Sequence, residues 1–139
     1  MTVSSTSIKI RSKGENDMID LTDNIIEVIK QSKISNGIIT IFVAGSTGSI
    51  ITIEFEPGLI KDFPEMLNRI IPKELNYRHE KMWHDGNGHS HVKASLIGPS
   101  LTIPFIGKKL CLGTWQQIVF LELDTTSRDR ELILQIMGE

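Results

Sequence analysis

Residues 38–55 read IITIFVAGSTGSIITIEF, two β-branched apolar runs parted by small and polar residues. Ile, Val, Phe and Thr suit a pleated, half-buried backbone, and runs this short are strand length rather than helix length. The stretch therefore predicts two buried strands, 38–43 and 50–55, joined by a loop at 44–49. On the upstream side Thr22 is placed to cap a helix whose Ile25, Ile26, Ile29 and Ile34 recur at helical spacing, with Asn36-Gly37 as its stop. Before that, Ile8 and Ile10 alternate, a polar turn follows at 13–17, and Met18-Ile19 resume, a hairpin pattern. On the downstream side Leu59, Phe63, Met66, Leu67, Ile70 and Ile71 predict a second helix over 59–71, with Pro64 near its start and Pro72 beyond its end. Short strand-like runs recur at 92–97, 101–105, 110–112, 118–123 and 132–137. Two main helices among about eight strands predict an α+β fold, mostly antiparallel sheets packed with helices, in one domain over 1–139.

A chain of 139 residues that is 40% hydrophobic and 23% charged can bury its own core. Its net charge of -2 offers no broad basic field, which argues against a nucleic-acid partner. No apolar run approaches the roughly 20 residues of a spanning helix, so no membrane partner is expected. A single cysteine, Cys111, allows no disulfide framework and suits a reducing cytoplasm. Flanked by Leu110 and Leu112, it reads as a small buried apolar residue.

All four histidines, His79, His84, His89 and His91, fall within thirteen positions. Neutral imidazole is a common metal ligand and a proton carrier near neutral pH. If 92–97 is a strand, His89 and His91 share one face with Lys93 and Ser95, while Val92, Ala94 and Leu96 take the other. Such a face is either ordinary solvated surface or, with His79, Asp85 and Asn87 close in sequence, a metal or acid–base site. The loop bearing Ser46 and Thr47 offers hydroxyls and N–H groups to a phosphate, or forms a plain tight turn. Glu54 and Glu56 share a polar strand face, free for solvent, a metal or a substrate proton. Trp115 and Gln116 sit between strands, where they line a pocket or fill core.

Tyr77-x-His79, the run HVKASLIG at 91–98, Ser100 to Pro104, LGTWQ at 112–116 and QIMGE at 135–139 together resemble the YjbQ-like family, the secondary thiamine-phosphate synthase family. The resemblance spans nearly the whole chain. It implies an α+β YjbQ-like fold, a homotrimer and a histidine-based divalent metal site holding zinc, magnesium or manganese. It also implies a weak activity that joins a pyrimidine pyrophosphate to a thiazole phosphate and releases pyrophosphate. The family histidines carry over to His79 and His91 and its acidic strand residue to Glu54. Many members have His-Thr-Ser-Ala where this chain has Gly45-Ser46-Thr47-Gly48, so a family histidine is glycine here. The expectation is a metal-assisted transferase with a small phosphorylated molecule as partner. Its metal ligands are His79, His89 and His91, its catalytic groups Glu54 and Lys93, and its substrate contacts Ser46, Thr47, Asn87, Ser95, Trp115 and Gln116. A metal-dependent hydrolase and a non-catalytic ligand-binding or assembly protein are the alternatives.

Overall fold

The computed structural model describes residues 1–139. In chain order the elements are β1 (Thr2–Arg11), β2 (Met18–Asp20), α1 (Thr22–Gln31), β3 (Gly37–Val43), β4 (Gly48–Ile53), α2 (Pro57–Ile70), α3 (Arg78–Trp83), α4 (Gly88–Ile97), β5 (Ser100–Ile106), β6 (Lys109–Leu110), β7 (Gln117–Glu122) and β8 (Asp129–Gly138). They form a five-stranded sheet, order β1-β8-β3-β5-β6, and a three-stranded sheet, order β2-β7-β4. Every strand pair is antiparallel. The α+β expectation holds.

β7 shows why the two sheets stack. Its Ile118 and Phe120 enter a core with α1 and the inner face of the large sheet, while Val119 and Leu121 enter a second core with Leu67 of α2 and Ala94 of α4. Alternation along a strand sends successive side chains to opposite faces, and a strand apolar at every position is covered on both. The layers thus run large sheet, then small sheet with α1, then α2 and α4.

Several expectations are corrected. β1 pairs with β8 and β2 with β7, so 8–19 crosses from one sheet to the other instead of forming a hairpin. Thr22 does not cap α1; both its N–H and its hydroxyl donate to Asp20 Oδ1, at 2.9 and 2.6 Å, and its Oγ1 accepts the N–H of Ile118. α1 ends at Gln31, and Ile34 is buried beyond it. α2 begins at Pro57 with Glu56 as its cap, accepting Gly58 and Leu59 N–H groups, so Pro64 falls inside the helix and Met66 and Ile70 are exposed. Cys111 is exposed.

The segment 92–97 is not a strand but the body of α4. Residues 92–96 alternate apolar and polar as a strand would, but Lys, Ala and Leu favour the helix, and here that preference outweighs the pattern. Gly98, at φ 99°, ends it in a conformation that a side chain would resist.

Candidate functional site

Six connections carry the chain between the sheets, three of them being β1 to β2, β3 to β4 and β7 to β8. Polar side chains from all three meet. Glu122, fully buried at the end of β7, accepts hydrogen bonds from Arg130 Nε at 3.1 Å and Nη2 at 2.5 Å, and from the Ser12 hydroxyl at 2.6 Å. Arg130 Nη2 also donates to Thr47 Oγ1 at 2.9 Å, and that hydroxyl donates to Asp124 Oδ2 at 2.9 Å. A buried carboxylate is tolerated because a guanidinium fork and a hydroxyl replace its water. Burial pushes the Asp124 carboxyl up, but the Thr125 N–H, the Thr47 and Asn87 hydrogen bonds and the Arg128 charge outweigh it, holding the group below the usual range.

Arg130 spends Nε and Nη2 on Glu122 and Thr47; Nη1 has no protein partner. Nη1 lies against the backbone of Gly45, on the wall of a cleft of about 290 Å³ that Ser46, Asn87, His91 and Arg128 also line. An adjoining hollow of about 200 Å³ reaches Ser95, whose hydroxyl donates to the His91 carbonyl at 2.8 Å.

The histidines arrive from two short helices. His79 of α3 and His91 of α4 have ring centroids 4.5 Å apart, and His79 Nε2 stands 3.3 Å from Asp85 Oδ1. Between the helices His84 and Gly86 take left-handed backbone, φ 55° and 68°, which folds Asp85 and Asn87 back over the pair. Asn87 is buried with one edge of its amide 3.4 Å from Asp124 Oδ1. Turned with its amino group toward the other side, it donates to Asp85 at 2.9 and 3.2 Å and to His79 Nε2 at 3.0 Å. Its one amino group thus serves either Asp124 or the Asp85–His79 side, and the residue stands between the histidine pair and the acidic network.

His79, His91, Asn87, Ser46 and Thr47 are therefore together, with Ser95 next door. His89 and Lys93 are not. A helix turns about 100° per residue, so positions 89 and 93 lie one turn apart on a face roughly opposite to 91. His89 is buried with Nε2 on Glu15 at 2.5 Å. Lys93 is buried in a separate cleft with Glu15 and Lys73. Glu54 is exposed beyond β4, Trp115 is 70% exposed, and the Gln116 amide oxygen accepts its own loop's Gly113 N–H. None of these three lines the cleft. The residues that sequence reading missed are Glu122, Asp124, Arg128 and Arg130; a carboxylate closing the apolar run IVFLE was the available sign.

The expected metal ligands do not form one set. His89 is committed to Glu15, position 45 carries no side chain, and no three His, Cys, Asp or Glu side chains converge on a point. The residues present thus do not fit a resident three-ligand ion.

A family model described as UPF0047 protein YjbQ-like matches residues 6–139. A UPF0047 protein of Methanothermobacter thermautotrophicus is 35% identical over 139 residues, covering 100% of this chain and 95% of its own. The UPF0047 protein MJ1081 of Methanocaldococcus jannaschii is 36% identical over 132 residues, 94% of this chain and 92% of that one. Among solved structures, a YbjQ-like protein of unknown function from Sulfolobus solfataricus P2 superposes with a TM-score of 0.89 at 31% identity, covering 99% and 100% of the two chains. The hypothetical protein APE1520 of Aeropyrum pernix K1 does so with a TM-score of 0.85 at 30% identity over 100% of both. With sequence and fold in agreement, the chain belongs to the YjbQ/UPF0047 family.

Proposed function

We propose that the chain is a transferase acting on phosphorylated heterocycles, of the kind that joins a pyrimidine pyrophosphate to a thiazole phosphate and releases pyrophosphate. The observation that supports this most is the free Nη1 of Arg130, held on the wall of a cleft that His91 also lines. A fixed cationic donor gains most from an anion whose charge grows as a bond breaks. Arg130 is preorganised by Glu122 and Thr47, so it costs no rearrangement when that charge develops.

In this reading Arg130, Arg128 and the Ser46 hydroxyl hold phosphate oxygens. His91 hands a proton to the departing oxygen, and Asn87 fixes the His79 ring that packs on it. A divalent cation carried by the pyrophosphate itself would neutralise part of its charge without any resident site in the protein. The test is product and pyrophosphate formation from the two phosphorylated heterocycles with Mg²⁺ or Mn²⁺. Activity in the wild type that falls at least a hundredfold in both His91→Gln and Arg128→Met supports the reading. A wild-type chain that neither forms product nor binds pyrophosphate sinks it.

A further inference from the structure

Lys93 is 3% exposed as a residue, and its ammonium, which has no hydrogen-bond or ion-pair partner in the protein, is the part that reaches the cleft rather than being sealed inside. It lines a cleft of about 530 Å³ on the other side of α4 from His91, between that helix, the second half of α2 and the turn at 14–17. Arg69, Lys73 and Asn68 share its walls. A cation held this deep without a bonded counter-charge is costly, and the cost falls when the group gives up its proton or when an anion from outside the chain joins it.

The charges already there do not complete it. Glu15 is spent: it takes Lys73 Nζ at 2.7 Å and His89 Nε2 at 2.5 Å. Glu65 and Glu74 are exposed at the rim, where water and salt screen them, as is Arg69. Burial pulls the Lys93 ammonium below its ordinary pKa while the Glu15 and Glu74 charges draw it back up through space, so what it lacks in this polar hollow is a bonded counter-ion.

We propose that this cleft is a second anion site, in which Lys93 binds a compact oxyanion, a phosphate or carboxylate group of a small molecule, with Lys73 and the Asn68 amide as further donors. It is separate from the Arg130 cleft and does not depend on the transferase reading, because Lys93 and His91 leave α4 on opposite sides. Rigid placement on a helix, with no competing internal partner, makes the ammonium a ready-made counter-ion.

The test is equilibrium dialysis of the full chain with labelled inorganic phosphate and, in a second arm, labelled acetate, comparing wild type with Lys93→Met and Lys93→Arg. The expected result is that Lys93→Met loses one bound anion per chain, or binds it at least tenfold more weakly, while Lys93→Arg retains it. The arm that responds identifies the group as phosphate or carboxylate. Identical binding of both anions by wild type and Lys93→Met overturns the proposal. Thermal melting without added anion gives an independent reading. Methionine should melt no lower than lysine, since it removes an unpaired buried charge; a clear drop assigns Lys93 to the fold and also overturns the proposal.

Discussion

Arg130 Nη1 lies 2.8 Å from the point that a Cβ on Gly45 would occupy, so the residue at position 45 decides whether the guanidinium can face the cleft. Gly45→His should push Nη1 off the loop while Glu122 keeps the rest of the fork in place. Loss of one charge-assisted contact, about 1.5–3 kcal/mol, predicts pyrophosphate binding at least tenfold weaker. Calorimetric titration measures it, and unchanged affinity would show that Nη1 takes no part in binding.

Arg130→Met removes the only cation bonded to the fully buried Glu122. Stranding a buried carboxylate costs about 3–5 kcal/mol, read as a lower urea midpoint. Adding Glu122→Leu to that variant should recover most of the loss. A double variant as unstable as the single one would place the energy in packing, for instance against Phe120, whose ring centre is 5.9 Å from the guanidinium.

Acid should weaken the fold through two carboxyls. Burial pushes Glu15 up, but hydrogen bonds from Lys73 and His89 and their charges hold it below its ordinary value; Asp124 is likewise depressed. A depressed folded-state pKa means that the folded protein binds fewer protons than the unfolded chain. The stabilisation is complete above the ordinary carboxylate range and is lost as pH falls through the folded-state values. Melting temperature should therefore drop from pH 6 toward pH 3 less steeply in Glu15→Gln than in wild type. Parallel curves would remove Glu15 from the account.

The outer face of the large sheet is expected to hold copies of the chain together, as a homotrimer. Ile38 sits opposite Met137 and Phe42 opposite Ile133, and all four side chains stay at least 36% exposed. Neighbouring apolar residues on one sheet face favour an interface over water. Light scattering should give about three times 15.6 kDa, and Phe42→Glu with Ile133→Glu should reduce it to one chain. A wild-type monomer would rule the assembly out.

Asp20, one residue ahead of the N-cap Leu21, accepts the Thr22 N–H at the start of α1. Asp20→Ala should cost about 1 kcal/mol, the usual loss for a helix-start carboxylate, while Thr22→Ala should also loosen the Ile118 N–H. Chemical denaturation of the two variants separates the effects.

The strands at 38–43, 118–123 and 132–137 were legible because burial on one or both faces forces runs that only a strand of that length explains. Helix α4 was not, since 92–96 alternates like a strand and carries little helical periodicity, and that pattern misplaced Lys93 and His89. His79 and His91 were legible as motif members. Arg130 was not: it reaches Gly45 and Glu122 only because β8 lies beside β3 in one sheet while β7 lies beside β4 in the other, an order no local pattern encodes.

The crossings between sheets have a mechanical consequence. Ser12, Thr47, Asp124 and Arg130 sit where the two sheets join, so a ligand in the Arg130 cleft adds a tie between sheets that already share a core. Occupancy should then slow hydrogen exchange far from the cleft, in β2 and in β8 alike.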